Sequence, residues 1–386
     1  MTGKAAGCKH FVPKSVIDPQ KLSAIILPRR SRGGPQTRGC FMLKLFTLPV
    51  VGPVAVGPIA AGLVAAGIAS PAFANDTMAE VKTGGLIFAQ SDDVSMAQED
   101  LFISASEVRV DYVFENSSDK DVESLVAFPM PDITGQIDNI SAISDYDSDN
   151  FLHFSTVQDG KPISAKLQQR VVSLGIDVTD EFAKHGIPVL PYSQKTAEAL
   201  AKLPETVRKD WIARGLIYSM GAGDAGGDLM PLWTLRSTYW WRTTFPAKKK
   251  VSVEHRYKPA VGGTVAISFL ENGEPKGERF EEYSRKYCLD GDFVRVAQQR
   301  AREAEAGGAN YTESWISYVL STGANWAGPI RRFQLTIDKG KPASLISFCG
   351  SNVQKIGPTT FRMTAEDFDP AKDFDILILN PPEAAQ

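Results

Sequence analysis

Hydrophobic and polar residues alternate along much of this chain with a period of two, which is typical of β-strands that have one wetted face. The clearest run is 107–116, where Val108, Val110, Tyr112 and Phe114 alternate with Arg109, Asp111 and Glu115. Turn formers follow at 116–119. The same reasoning predicts further strands at 122–128, 151–157, 163–172, 233–257, 361–364 and 373–379.

Four segments instead carry the spacing of short helices. Residues 195–203 and 205–214 are predicted helices separated by Pro204, which sits near a helix start. The segment 290–306 is predicted to be an amphipathic helix capped by Asp290. A fourth helix is predicted at 313–320, where Trp315, Ile316, Val319 and Leu320 are apolar. A hairpin is predicted for 331–337 and 344–348, which flank the turn-rich stretch 338–342.

Together these elements predict a mainly β protein with α insertions (α+β). We expect an antiparallel β-sandwich domain followed by a mixed α+β domain. The predicted divisions are an upstream extension at 1–41, a signal peptide at 42–74, the sandwich at 75–176, a helical insertion with a glycine-rich connection at 177–228, and strands with a C-terminal α+β portion at 229–386.

Residues 42–74 have the features of a secretory signal peptide. Lys44 supplies a positive charge, a long apolar stretch follows, and Ala72-Phe73-Ala74 places small residues where signal peptidase needs them. The alternative is a retained membrane anchor, since about 20 apolar residues can span a bilayer. Recurrent glycine and proline argue against a continuous helix there. We therefore predict cleavage after Ala74, no membrane span in the mature chain, and a periplasmic or secreted location.

Residues 1–41 hold eight Lys/Arg and one acidic residue, Asp18. One interpretation is a basic nucleic-acid-binding tail. We favour an overlong leader, or translation that starts at Met42, because a tail removed during export cannot serve the mature protein.

Removing this leader changes the charge of the protein. Positions 1–74 hold nine of the 42 Lys/Arg and one of the 45 Asp/Glu, which leaves 33 basic and 44 acidic residues and a formal net charge of −11. This balance repels phosphate backbones and anionic lipids, so nucleic acid is excluded as an expected partner.

Two of the four cysteines, Cys288 and Cys349, survive the predicted cleavage. An even pair in an exported protein most simply forms a disulfide. The alternatives are two unpaired buried thiols, or a nucleophilic thiol paired with a histidine. No local signature of a catalytic thiol surrounds either cysteine.

Aromatic residues are the strongest candidates for ligand contact. The segment 233–241 holds three of the six tryptophans, Trp233, Trp240 and Trp241. An exposed ring beside an arginine would make a stacking platform for a sugar or a protein partner. Trp326 lies in a loop rich in turn formers, where an aromatic is readily displayed. Packing in the core is the alternative for all four.

Two local motifs suggest ligands that we do not expect. Asp145, Asp147 and Asp149 have the spacing of a calcium loop, but Asn150 stands where the loop needs glycine and Thr156 where it needs glutamate. The alternative is that these aspartates form Asx turns between two strands. The glycines of 221–226 match a dinucleotide fingerprint, but they lead into a strand and not into a helix. We predict no metal and no cofactor.

No catalytic signature is present in the sequence. It contains no Gly-x-Ser-x-Gly elbow and no His-Glu-x-x-His zinc helix, and His255 falls in a predicted strand, as a structural histidine would. We therefore favour a non-enzymatic envelope or ligand-binding protein, with an envelope glycan or another exported protein as partner. The alternative is a secreted hydrolase of envelope glycan or peptide that uses an unidentified carboxylate pair.

A set of motifs spread over the mature chain resembles the bacterial domain-of-unknown-function family 4424. The motifs are 100–104, 108–116 running into 127–132, 245–259, Tyr287-Cys288, 322–330, 347–350 and 358–361. The resemblance implies an exported bacterial protein whose biochemical role is not stated, and it supplies no catalytic residues. Both cysteines fall inside these motifs, which is consistent with their pairing. The pattern at 108–132 is also similar to the β-sandwich at the start of inter-alpha-trypsin-inhibitor heavy chains, a likeness of fold only.

Overall fold

The computed structural model of this protein describes residues 77–82, 85–135, 142–221 and 228–382. The signal segment 42–74, the upstream extension and most of the glycine-rich connection lie outside these residues. The first part of the described chain contains β1 (Thr77–Lys82), β2 (Gly85–Ala89), β3 (Val94–Ser104), β4 (Val108–Asn116), β5 (Val122–Pro129), β6 (Ile133–Thr134), β7 (Ser155–Gln158), β8 (Lys161–Ile163), β9 (Lys166–Ser173), β10 (Ile176–Asp177), α1 (Thr179–His185), α2 (Gln194–Ala201) and α3 (Glu205–Ala213).

The remaining elements follow from Ile217 to Asn380. They are β11 (Ile217–Met220), β12 (Asp228–Pro231), β13 (Thr234–Phe245), β14 (Lys250–Tyr257), β15 (Gly262–Thr264), α4 (Glu278–Tyr287), α5 (Gly291–Glu305), β16 (Thr312–Tyr318), β17 (Ile330–Asp338), β18 (Leu345–Phe348), β19 (Gln354–Lys355), β20 (Thr360–Phe368) and β21 (Phe374–Asn380). The prediction of a mainly β protein with α insertions is confirmed.

Four sheets arrange these strands. The largest has eight strands in the order β19-β20-β17-β3-β4-β14-β7-β8, and a seven-stranded sheet runs β10-β9-β13-β5-β1-β2 with β6 also on β13. A four-stranded sheet runs β15-β16-β21-β18, and β11 pairs with β12. Among the described strands every pairing is antiparallel except β3 with β17, which is parallel.

The two large sheets share one hydrophobic core. In β4 the predicted alternation is confirmed, since Val108, Val110, Tyr112 and Phe114 are all buried. Phe114 meets Phe245 of β13 with ring centroids 5.8 Å apart, and Phe128 of β5 meets His255 of β14 at 4.7 Å. These contacts pack the inward faces of both sheets against each other.

Helices α1, α2 and α3 share a hydrophobic cluster that is separate from the main core. Phe182 of α1 stacks on Trp211 of α3 and meets Trp233 edge-on, both at 4.7 Å, so the first three helices form a core of their own. The predicted helix at 290–306 is confirmed as α5, and the side chain of Asp290 caps it by accepting a hydrogen bond from the Phe293 amide (2.7 Å).

The helix predicted at 313–320 is wrong, because these residues form strand β16. This strand pairs with β15 along one edge and with β21 along the other. Ile316 and Tyr318 face the main core, while Trp315 packs against the helical side. Because apolar side chains lie on both faces of β16, the sequence lacks the alternation of a strand with one wetted face, and its apolar spacing matched that of a helix.

The predicted hairpin around 338–342 is also wrong. Strand β17 pairs with β3 and β20, whereas β18 pairs with β21 in another sheet. The buried ammonium of Lys339 donates to the carbonyls of Pro342 and Ser344 and fixes the loop that redirects the chain. Turn-forming residues mark a change of direction, but they do not say which strand the chain meets next.

Candidate functional site

The most promising concavity is a cleft of about 720 Å³ that the Cys288–Cys349 disulfide lines, called here the disulfide cleft. Six parts of the chain form it: the end of α4, Ser321 after β16, the turn after β18, strand β20, the loop before β21, and the start of β21. Its lining includes Arg285, Lys286, Cys288, Ser321, Cys349, Gly350, Ser351, Met363, Phe368, Asp369, Ala371, Lys372, Asp373, Phe374 and Asp375.

The predicted disulfide is confirmed and fastens one wall of this cleft. It joins Cys288, just beyond α4, to Cys349, just beyond β18. The hydroxyl of Ser347 adds a second tie by donating to the carbonyl of Tyr287 (3.0 Å). The last turn of α4 is thereby held against the four-stranded sheet.

A second set of hydrogen bonds holds the body of α4. Glu313 of β16 is buried, and its carboxylate accepts hydrogen bonds from the hydroxyls of Tyr283 (2.9 Å) and Ser268 (3.1 Å) and from the indole of Trp315 (3.2 Å). Burial raises the pKa of Tyr283 well above its ordinary value. Because its acceptor sites are filled, Glu313 is positioned for structure and not for chemistry.

Apolar side chains form the floor of the disulfide cleft. Met363 and Phe374 are buried beneath it, and Phe368 is half-buried at its edge. Phe333 lies under them, stacked on Phe368 at 4.4 Å and on Phe374 at 5.9 Å between ring centroids. This stacking makes the floor firm, since the rings support one another from the core side.

The charged groups around the floor fall into two kinds. Asp373 accepts from the amides of Leu320 and Ser321, both at 3.2 Å, and Asp375 is paired with Lys286 (3.7 Å). These groups hold the fold together. Arg285 and Lys372 are exposed, and the described part of the chain offers neither side chain an ion pair or hydrogen bond. They are the cations that a ligand can reach.

Two other concavities lie beside the first three helices. A cleft of about 860 Å³ lies beside α1, but its arginines are already paired, Arg170 with Asp177 and Arg214 with Glu181. The Arg214 guanidinium lowers the pKa of the Glu181 carboxyl, as expected for a made ion pair. A smaller concavity of about 410 Å³ lies between α1 and α2.

The structure places three of the four predicted contact tryptophans in the core. Trp233, Trp241 and Trp326 are buried, and Trp326 packs on Phe114 at 4.4 Å between ring centroids. Trp240 is half-exposed, with the Lys166 ammonium 4.9 Å above its ring. Of the four predicted contacts, Trp240 alone keeps a surface that a ligand could touch, and it does not line the disulfide cleft.

The aspartates of the predicted calcium loop lie in a turn before β7. The Asp147 amide donates to the Asp145 carboxylate (2.9 Å), which is an Asx turn, and Lys195 pairs with Asp147 (3.5 Å). No group of three or more His, Cys, Asp or Glu side chains within the described ranges is placed to hold a metal ion. Likewise, no helix within those ranges is long and apolar enough to span a membrane.

A row of carboxylates crosses the outer face of the eight-stranded sheet. Asp100, Asp111 and Glu254 stand directly opposite one another on β3, β4 and β14. Arg109 pairs with Asp111 and Arg256 with Glu254. The row lines none of the clefts described above, so it is not the enclosed acid pair that the hydrolase alternative requires.

Replacing Asp111 by asparagine is expected to stabilise the protein at neutral pH. Partial burial raises the pKa of Asp111, and the facing carboxylates Glu254 and Asp100 add to the increase. A carboxyl whose pKa is raised in the folded protein contributes its full stabilisation only below its ordinary pKa of 3.8. This stabilisation is lost as the pH rises through the pKa of the group in the folded protein. The ionised group therefore opposes folding at pH 7. We expect Asp111→Asn to gain less than about 1 kcal/mol there, since the site is partly exposed.

Urea unfolding of the parent and Asp111→Asn at pH 3.5 and pH 7 measures this effect. The gain should be larger at pH 7. Asp92→Asn, which removes an exposed carboxylate, is the matched control. A loss of stability at pH 7 in Asp111→Asn would show that the row is attractive and not repulsive.

Sequence reasoning missed Arg285, Lys372 and the apolar floor. The signal that could have found them is the disulfide itself, because pairing Cys288 with Cys349 brings the end of α4 to the turn after β18. The strands that supply Met363 and Phe374 were predicted, but nothing in the sequence placed them beneath that turn.

Comparison with known proteins locates the chain in a family. A family model described as a domain of unknown function, DUF4424, matches residues 74–377. No protein of curated function matches the chain. Among solved structures, a Legionella pneumophila protein provisionally described as nutrient binding is similar at 13% identity and a TM-score of 0.36, over 80% of this chain and 73% of that chain. The likeness is too distant to bear on function. The family match spans most of the chain, which therefore belongs to the domain-of-unknown-function family DUF4424.

Proposed function

We propose that this protein binds a small amphipathic organic anion in the disulfide cleft. The observation that carries the proposal is the combination of a firm apolar floor with two cations, Arg285 and Lys372, that have no partner among the described residues. A volume of about 720 Å³ is within the usual range of small-molecule sites. Apolar contact would supply affinity, and the cations would select an acidic group.

Binding is better supported than hydrolysis. A hydrolase of the glycosidase type needs two available carboxyl groups about 5–9 Å apart. In the disulfide cleft, Asp373 and Asp375 are engaged by backbone amides and by Lys286, which leaves Asp369 as the available acid among the lining residues. One free carboxylate does not make an acid–base pair.

We also propose that the protein is exported and acts outside the cytoplasm. We further propose that its two large sheets form a β-sandwich. The signal pattern at 42–74 and the formed disulfide support an exported protein. The mass of the protein recovered from cell envelope fractions tests the cleavage. A chain beginning at Asn75 supports it, and a chain that retains 42–74 contradicts it.

The binding proposal is tested with 1-anilinonaphthalene-8-sulfonate, a fluorescent aromatic anion. The purified protein should bind it saturably, and octanoate should displace it while octylamine should not. The double variant Arg285→Gln/Lys372→Gln should bind about tenfold more weakly, since each unpaired cation contributes roughly 0.5–1 kcal/mol at a partly exposed site.

Arg302→Gln/Lys276→Gln is the matched control. It removes one arginine and one lysine that are also exposed but line none of the disulfide cleft. This control should bind the dye as the parent does. If both double variants lost affinity for the dye equally, the effect would come from net charge and the proposed site would be wrong. If the Arg285→Gln/Lys372→Gln variant lost no affinity, the proposal would also be overturned.

A further inference from the structure

The Cys288–Cys349 disulfide is open to solvent. Cys288 is exposed, Cys349 is half-buried, and both line the disulfide cleft. Disulfides that serve only to hold a fold resist reduction, whereas exposed or strained ones are the labile ones. The position of both cysteines on the wall of an open cleft therefore fits a role beyond cross-linking.

The backbone at Cys288 adds a second observation. Cys288 follows α4 in the left-handed conformation, with φ and ψ both 52°. A residue with a β-carbon rarely adopts this conformation, and glycine is the usual choice at the end of a helix. The disulfide helps to hold Cys288 there, so cleavage would let the turn relax.

The surroundings also suit the reduced form. The sulfur of Cys349 lies 3.6 Å from the carbonyl oxygen of Lys286 and 3.9 Å from that of Arg285. In the disulfide this sulfur has no proton to donate. As a thiol it would donate to these carbonyls at the end of α4, so acceptors for the reduced state are already in place. The cations Arg285, Lys286 and Lys372 around the same cleft favour an attacking thiolate.

We infer that Cys288–Cys349 is a thiol–disulfide exchange site, reduced by a dithiol, and that its reduction loosens the α4 wall of the disulfide cleft. A thiolate of the dithiol attacks the exposed sulfur of Cys288, the disulfide bond breaks, and its electron pair leaves on Cys349, which takes a proton from solvent. The second thiolate of the reductant then attacks the mixed disulfide and expels Cys288, which is protonated in turn. The dithiol becomes a disulfide, and the protein gains two electrons and two protons.

Loosening is expected to stay local. The body of α4 remains attached through Tyr283 and its hydrogen bond to Glu313, and through Tyr287 in the core. The ties that remain at the last turn are the Ser347 hydrogen bond and the Lys286–Asp375 pair. A hydrogen bond and an ion pair hold the α4 wall less firmly than the disulfide does. The reduced protein should therefore bind an organic anion less tightly, a consequence that rests on the proposed function.

The test begins with the oxidised full chain in native buffer. Dithiothreitol is added, thiols are trapped by alkylation, and peptides carrying Cys288 and Cys349 are followed by mass spectrometry apart from those carrying Cys8 and Cys40. Both cysteines should become reduced at a rate that does not change with low, non-denaturing guanidinium. A rate that tracks global unfolding would overturn the inference.

Hydrogen exchange then measures the protection of backbone amides in the α4 wall. Amides at 285–290 should lose protection on reduction, while those of β4 should not, and Cys288→Ser/Cys349→Ser should reproduce the reduced state. Unchanged protection at 285–290 would overturn the loosening. Anilinonaphthalenesulfonate should bind the reduced protein roughly fivefold more weakly or worse. If the oxidised protein fails to bind the dye, the proposed function fails, while the alkylation and exchange results still decide the redox inference.

Discussion

Replacing Trp326 by alanine is expected to lower the free energy of unfolding by about 3–5 kcal/mol, the range seen when a buried aromatic is truncated. The indole is 3% exposed and packs on Phe114 and Phe245, with ring centroids 4.4 and 5.7 Å away. These two partners come from β4 and β13, one in each large sheet. The variant therefore leaves a cavity where the two sheets meet.

Trp240→Ala is the matched control for this prediction. Trp240 is half-exposed and packs on Leu125 and Ala127, so its truncation should cost about 1 kcal/mol. Guanidinium unfolding of the three proteins measures the difference. If Trp326→Ala were as stable as Trp240→Ala, the loop of Trp326 would not be anchored in the core.

Removal of the disulfide is expected to cost about 3 kcal/mol. Its cysteines are 61 residues apart, and closing a loop of that length stabilises a fold by roughly 4 kcal/mol in the chain-entropy model. The left-handed backbone of Cys288 subtracts about 1 kcal/mol, because the constrained turn is unfavourable in the native state.

Unfolding of the oxidised parent, the reduced parent and Cys288→Ser/Cys349→Ser measures this cost. The last two should agree, and adding reductant to the double variant should change nothing. With a total stability of 5–15 kcal/mol typical of proteins, we expect the reduced chain to stay folded. A reduced chain that unfolds under native conditions would remove the basis for local loosening of the α4 wall.

The sequence predicts secondary structure well where one face of an element is exposed to solvent. The alternation in β4 and the Asp290 cap of α5 are local patterns, and both appear as predicted. The disulfide followed from an even pair of cysteines in a chain with an export signal. In each case the information lies within a few residues or in a simple count.

The sequence predicts structure poorly where apolar residues lie on both faces of a strand, or where segments distant along the chain come together. Strand β16 was wrongly predicted as a helix because its apolar residues lie on both faces, Ile316 toward the main core and Trp315 toward the helical side. The buried carboxylate of Glu313 depends on two donors from distant segments, Ser268 and Tyr283, which lie 45 and 30 residues away along the chain. The disulfide cleft has the same origin, since Arg285, Met363 and Lys372 are brought together by the fold alone. Spacing along the chain cannot show such a meeting.

The most direct test of the binding proposal is an anomalous difference map from crystals of the oxidised protein grown with 8-bromooctanoate. We expect a bromine peak over Met363 and Phe374, with the carboxylate toward Arg285 and Lys372. Crystals of Arg285→Gln/Lys372→Gln should show that peak weakened, and crystals of Arg302→Gln/Lys276→Gln should show it unchanged. A bromine peak elsewhere, or an empty disulfide cleft at a concentration that displaces the dye, would contradict binding in this cleft.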